Sequence, residues 1–88
     1  VDKGAKNALI KNASLLPSGI LSIHGKFERG DVIYITSDNG THPFACGITN
    51  YSSTDVHQIS GQQSTDIEAT LGYNYGEEII HRDNLVNL

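Results

Sequence analysis

The chain has 88 residues, of which 38% are hydrophobic and 18% are charged, with a formal net charge of −4. This length and composition predict one small globular domain rather than a disordered chain, and we expect no secretion signal or membrane span within residues 1–88. Charge is divided unevenly: residues 1–30 carry five lysines and arginines against two acids, whereas residues 31–88 carry one arginine against eight acids. The acidic balance argues against a general polyanion binder, but the first thirty residues could present a locally basic surface.

The chain contains no methionine and begins at Val1. We therefore expect residues 1–88 to be a single domain excised from a longer protein. Cys46 is the only cysteine, so an intramolecular disulfide is impossible, which predicts a reducing, cytoplasmic setting. Because Cys46 lies in the apolar run FACGI, we interpret it as a small buried side chain rather than a reactive thiol.

The first half of the chain predicts one helix followed by strands. Small apolar residues recur at helical spacing over residues 4–13, and Pro-Ser-Gly at 17–19 then predicts a turn. Strands are predicted at 20–27 and 32–36, separated by a polar turn at 28–31 in which glycine allows a positive φ.

A β-hairpin is predicted next. Ser37-Asp38-Asn39-Gly40 contains Asn-Gly, a strong signal for a hairpin turn, and a return strand is predicted over 42–50. Pro43 cannot donate to a strand ladder, so that end of the strand is expected at a sheet edge.

The second half predicts short elements. Capping-box spacings begin helical turns over 52–61 and 65–72, and glycines fall at the expected ends. A loop over 73–76 leads to short strands at 78–81 and 85–88. We therefore predict a mainly β fold with short helices, arranged as a small barrel.

The segment HRDNLVNL, residues 81–88, begins like the catalytic loop of a protein kinase. That loop requires an asparagine five residues after its aspartate, a glycine-rich loop and a second magnesium-binding aspartate, and the chain has none of these. His81 and Asp83 could also be a base and its orienting acid, although the chain lacks a nucleophile motif. The simplest interpretation is a tight turn in which Arg82, Asp83 and Asn84 satisfy backbone groups.

Two other groups of side chains could carry chemistry. The four histidines lack metal-site spacing, and His42 with Cys46 supplies only two of the four ligands that a structural zinc needs. Tyr51, Tyr73 and Tyr75 could stack on nucleic-acid bases, but core packing is the commoner use of such residues. The sequence therefore predicts no metal, cofactor or catalytic residue within the domain.

Four ordered blocks carry a family resemblance: SLLPSGI at 14–20, GKFERGDV at 25–32, GITNYSS at 47–53 and IEATLGYNYGEEIIHRDNLV at 67–86. With these blocks the chain resembles the C-terminal PUA domain of bacterial glutamate 5-kinases. The resemblance covers nearly the whole chain and implies a PUA-like pseudo-barrel over residues 1–88.

This resemblance implies a cytoplasmic parent enzyme that uses ATP and Mg²⁺ to phosphorylate L-glutamate, the first step of proline biosynthesis. Its amino-acid-kinase domain would precede Val1, so the PUA domain would be non-catalytic and its partner would be the kinase domain of the same chain. Homo-oligomerisation of the parent and a regulatory or structural role of the domain, in an enzyme that proline inhibits, are implied as well.

PUA domains in RNA-modifying enzymes bind structured RNA such as tRNA through a groove beside the first helix. By resemblance, this face would include Lys6, Lys11, Ser18 and Gly19. RNA binding needs basic residues at the phosphates, and the chain has few, so the RNA-binding role stands as the alternative to the regulatory one.

Overall fold

A three-stranded antiparallel sheet and short helices form the regular structure in this computed structural model, which describes residues 1–38, 40 and 42–88. The strands are β1 (Val32–Ile35), β2 (Ala45–Ile48) and β3 (Leu85–Asn87). The α-helices are α1 (Lys3–Ile10), α2 (Ser53–Ile59) and α3 (Ile67–Leu71). Single 3-10 turns lie at Pro17–Gly19, Ser64–Asp66 and Arg82–Asn84. The predicted architecture, a small β-sheet domain with short helices, is confirmed.

The sheet has the order β1-β2-β3, and β2 lies in its centre. β1 and β2 form the predicted hairpin, with Tyr34 opposite Cys46, while Asn39 of the predicted turn lies outside the described residues. The sheet edge expected at Pro43 is wrong. The next residue, Phe44, donates its N–H to Ile35 on one side and accepts from Leu88 on the other. Pro43 is tolerated because it precedes the strand rather than interrupting its ladder.

Side-chain caps fix the starts of two helices. The Asp2 carboxylate accepts the Ala5 N–H at 2.7 Å, which starts α1 one residue earlier than predicted. The helix ends at Ile10, before the predicted residue 13, because Asn12 adopts a left-handed φ of 67°. Ser52 caps α2 as predicted, since its hydroxyl accepts the Asp55 N–H at 3.3 Å.

The second predicted cap is wrong. α3 has no side-chain N-cap at Thr65, because the 3-10 turn Ser64–Asp66 runs directly into it. The predicted end is correct: Gly72 stands after α3 with φ 84°, a conformation that glycine adopts without steric cost.

The strand predicted at 20–27 is also wrong. Its backbone joins no ladder, and Gly25 interrupts the extended run at φ 77°. Phe27 instead exchanges hydrogen bonds with the first residue of α2: its carbonyl accepts the Ser53 N–H, and its N–H donates to the Ser53 hydroxyl. The strand predicted at 78–81 is reduced to one bridge, between Leu15 and Ile80.

One apolar core lies between the inner face of the sheet and the helices. Its fully or almost fully buried members come from every part of the chain: Leu9, Leu15, Ile20, Ile35, Ala45, Tyr51, Val56, Ile59, Ile67, Ile79 and Ile80. The hydrophobic effect across this cluster stabilises the fold, and Leu9 and Ile67 hold α1 and α3 to it. Within the described residues, the helices are too short and too polar to cross a membrane.

Candidate functional site

A shallow groove of about 200 Å³ lies between α1 and the Pro17–Gly19 turn. Small residues bring the two elements together: a Cβ added to Gly19 would lie 2.5 Å from the Ala5 Cβ. The Asp2 N–H also donates to the Gly19 carbonyl at 2.9 Å. Ser18 and Gly19, two of the predicted face residues, line this groove together with Asp2, Gly4, Ala5, Ala8, Ser14 and Leu16.

The two predicted lysines do not line the groove. The Lys6 ammonium lies over the Phe44 ring, 5.5 Å from its centroid. The Lys6 side chain therefore extends from α1 toward Phe44 and not into the groove. Lys11 is exposed just after the last turn of the helix. The titratable residue that lines the groove is Asp2, an acid, so the groove itself is not basic. RNA contact by this face stays a prediction.

An aromatic cluster lies around the 73–76 loop. The Tyr75 ring centroid lies 5.6 Å from that of Tyr51 and 5.1 Å from that of Tyr73. The Arg29 guanidinium lies 4.0 Å from the centre of the Tyr75 ring, a cation–π contact. Arg29 comes from the distant 28–31 turn, so sequence spacing gave no sign of a basic group beside these tyrosines.

Tyr51 holds this cluster onto the core. Its side chain is fully buried, and its hydroxyl donates to the Gly76 carbonyl at 2.6 Å and accepts the Tyr75 N–H at 2.9 Å. Burial raises the pKa of the Tyr51 hydroxyl, which keeps it protonated as a donor. A buried ring cannot stack on an external base, so Tyr51 serves packing rather than the proposed stacking platform.

Tyr73 fastens the same loop to α2. Its hydroxyl donates to Oδ1 of Asp55, a buried carboxylate in the first turn of that helix. This hydrogen bond to an acid raises the pKa of Tyr73 to about 12, because ionisation would remove the donor and place two negative charges together.

Alkaline titration is expected to weaken the loop through Tyr73. A raised folded-state pKa contributes stability that is complete below the usual tyrosine value of 10.0 and is lost as pH rises through about 12. The urea midpoint of the Tyr73→Phe variant should therefore fall less between neutral pH and about pH 12 than that of the unchanged protein. Tyr34→Phe, which removes a hydroxyl from an exposed side chain, is the control. If the urea midpoints of all three proteins change with pH in parallel, the hydrogen bond between Tyr73 and Asp55 does not contribute to stability in this way.

The residues of the HRDN segment form the predicted tight turn, but the capping residue differs. The Asp83 N–H donates to Nδ1 of His81 at 3.1 Å, and the Arg82 N–H donates to the Ser14 hydroxyl at 2.9 Å. The Arg82, Asp83 and Asn84 side chains were expected to bond the backbone. His81 does so instead: it is the N-cap residue of the Arg82–Asn84 turn, and its ring nitrogen accepts the Asp83 N–H.

His81 and Asp83 do not form a base with its orienting acid. Such a pair requires Nδ1–H to donate to the carboxylate, so that Nε2 can accept a proton from a nucleophile. Here Nδ1 is an acceptor for a backbone N–H, and Oδ2 of Asp83 lies 3.5 Å from it. The Asp83 side chain is also 80% exposed, so water screens its charge. The arrangement supports turn formation, not proton transfer.

The described residues contain no cluster of three or more histidine, cysteine, aspartate or glutamate side chains that could hold a metal ion. His42 lies outside β2, so it does not share a strand face with Cys46. Cys46 itself is half-buried rather than buried as expected. It belongs to the outward side of β2, which the core does not cover.

Comparison with known proteins agrees with this architecture. The PUA domain family model matches residues 1–71, so the chain belongs to the PUA domain family. Curated relatives with about half their aligned residues identical are named glutamate 5-kinases. One from Syntrophotalea carbinolica is 53% identical over 98% of this chain, and one from Xylella fastidiosa is 51% identical over all of it. A third, from Trichlorobacter lovleyi, is 49% identical over 98% of the chain.

The chain spans only about a quarter of these relatives: 23% of the first and third and 24% of the second. The matching region is the C-terminal part of the relatives. The resemblance deduced from the four sequence blocks is therefore confirmed.

Proposed function

We propose that residues 1–88 are the non-catalytic PUA module of a glutamate 5-kinase, with a regulatory or structural role in that enzyme. The observation that carries this proposal is the near-complete alignment of the chain with one C-terminal quarter of relatives that bear this name. Under the proposal, the parent phosphorylates L-glutamate to glutamyl 5-phosphate at the start of proline biosynthesis. It is a cytoplasmic homo-oligomer in which this module contacts the kinase domain of its own chain.

ATP and Mg²⁺ belong to the parent under this proposal, because the residues of this domain do not fit them. The groove beside α1 carries an aspartate and no lysine or arginine to hold phosphate groups. A second cavity, of about 410 Å³, is lined mainly by apolar residues such as Leu15, Val56 and Ile79, and Lys26 is the one lysine or arginine in its lining. No group of three potential metal ligands occurs in the described ranges. We therefore derive no phosphotransfer step from these residues.

Removing the module from the parent tests its role. A parent lacking residues 1–88 should still phosphorylate glutamate, because catalysis resides elsewhere, but its proline inhibition, its rate or its oligomeric state should change. The control is a parent carrying Asp83→Asn, which alters an exposed turn residue with no expected effect. Unchanged rate, inhibition curve and assembly after deletion would contradict a regulatory or structural role.

RNA binding is the second candidate, favoured by the basic balance of residues 1–30. If RNA binds this face, affinity should fall steeply with salt, because phosphate contacts release counterions. A labelled tRNA titrated by fluorescence anisotropy at two salt concentrations would measure this.

Charge reversal locates such binding. The double variant Lys6→Glu/Lys11→Glu should abolish saturable binding if the face of α1 carries it. Lys26→Glu/Arg82→Glu makes the same change in net charge at exposed positions outside α1 and should bind normally. Equal losses of affinity in both variants would indicate a general charge effect and would contradict the assignment of binding to α1. If the unchanged protein does not bind RNA at low salt, the RNA-binding candidate is refuted.

A further inference from the structure

The outward side of the sheet is apolar and uncovered. Strand alternation directs Ile35, Ala45 and Gly47 inward, where they are buried. The alternate positions face away from the core, and we call them the outer sheet face: Val32, Tyr34, Cys46, Ile48 and Val86. The register places these side chains in two cross-strand rows, Tyr34–Cys46–Val86 and Val32–Ile48. The face is therefore continuous across all three strands.

Three of these five side chains are more than half exposed to solvent. Tyr34 is 66% exposed, Val86 59% and Val32 57%. None of the five carries a charge, although the solvent-facing side of an antiparallel sheet is commonly polar. Apolar side chains that adjoin one another across three strands can form an interaction site, and the absence of charge favours protein over nucleic acid.

The size of the face distinguishes between a tethered and a free partner. With strands about 4.8 Å apart and a rise of about 3.3 Å per residue, its footprint is roughly 200 Å². A stable complex of separate molecules buries about 800 Å² on each side, several times more than this face offers. A partner on the same chain is held at an effective concentration on the order of millimolar, so a much smaller surface is sufficient to dock it. Interfaces between domains of one chain are correspondingly small.

We infer that the outer sheet face docks against the remainder of the parent polypeptide, in the part outside residues 1–88. This inference rests on the proposed function, which places the domain in a chain about four times its length, as in the relatives. The docked element presents an apolar, uncharged patch to Tyr34 and its neighbours. Movement of that element would then be transmitted directly to the sheet, and through Ile35 and Ala45 to the core.

Site-specific photocrosslinking in the full-length parent tests this docking. A benzophenone amino acid would replace Tyr34 in one variant and Val86 in another, and Glu68 in a control. Glu68 is exposed on α3, away from the sheet. After irradiation, mass spectrometry of the digested monomer band identifies which peptides are joined. Glutamate-dependent phosphorylation by each variant is measured in parallel.

Crosslinks from positions 34 and 86 to peptides of the same chain outside residues 1–88, several times more abundant than from position 68, are the expected result. Crosslinks mainly between two copies would overturn the inference in favour of a self-association surface. Yields no higher than at position 68 would overturn it by showing an uncovered face. A parent that crosslinks as expected but does not phosphorylate glutamate would refute the proposed function and leave the docking intact.

Discussion

Replacing Gly47 with alanine is expected to lower the free energy of unfolding by about 3 kcal/mol, the upper part of the usual range for overpacking a core. Gly47 lies in the central strand, where a Cβ would stand 2.6 Å from the Asn84 carbonyl oxygen and 2.7 Å from the Ile80 side chain. It would also approach the Leu85 Cα at 3.2 Å. Two of these three neighbours are backbone atoms of the turn and strand that close the sheet, so they cannot rotate away.

The measurement is thermal or urea unfolding. For a domain of this size, a loss of about 3 kcal/mol corresponds to a fall in Tm of roughly 15 °C. Gly4→Ala is the matched control, because Gly4 lies in α1 with ordinary van der Waals space and alanine favours a helix. If the Gly47→Ala variant unfolds at the same temperature and urea concentration as the unchanged protein, the close approach of β2 to the Arg82–Asn84 turn is contradicted.

Tyr51→Phe is expected to cost about 2 kcal/mol, because it leaves the Tyr75 N–H and the Gly76 carbonyl without the hydroxyl that joins them. The ring itself still fills the core, so the cost comes from the lost hydrogen bonds. Since both partners belong to the loop after α3, this loop should open locally before the rest of the domain unfolds. Limited proteolysis should then cut the variant near Tyr73 and Tyr75 sooner than the unchanged protein.

Tyr34→Phe is the control for this comparison, since the Tyr34 side chain is exposed on the outer sheet face. If Tyr51→Phe and Tyr34→Phe show the same stability and the same cleavage rate, the hydroxyl of Tyr51 does not hold the loop.

The sequence predicted the features that depend on a few neighbouring residues. Ser52 at the start of α2, Gly72 at the end of α3 and the Glu28–Asp31 turn follow from local hydrogen bonds and from glycine's freedom at positive φ. The hairpin joining β1 to β2 follows from alternating apolar residues on either side of a turn signal.

Features that depend on contacts between distant parts of the chain could not be predicted from neighbouring residues. The segment 20–27 has the composition of a strand, but the backbone of Phe27 bonds to Ser53 of α2 instead. Nothing in local spacing reveals that partner. The Arg82 N–H in the last turn likewise takes a distant partner, the Ser14 hydroxyl.

The candidate site also contains residues that the sequence identified and contacts that only the folded structure shows. Ser18 and Gly19 were assigned to an RNA or partner face by family resemblance; they line the groove beside α1, and contact with a partner there stays a prediction. The Lys6 ammonium lies over Phe44, and the Arg29 guanidinium lies over Tyr75. In both pairs the aromatic partner is far away in sequence, so local spacing could not predict the contact. The outer sheet face combines residues of three strands, so the strand register was needed to recognise it.

The central claim is that this domain belongs to a glutamate 5-kinase without catalysing its reaction. Glutamate-dependent conversion of ATP to ADP, measured side by side for the full-length parent and for residues 1–88 alone, tests it most directly. The account predicts turnover by the parent and none by the isolated domain. Turnover by residues 1–88 alone, or a full-length parent that does not phosphorylate glutamate, would contradict it.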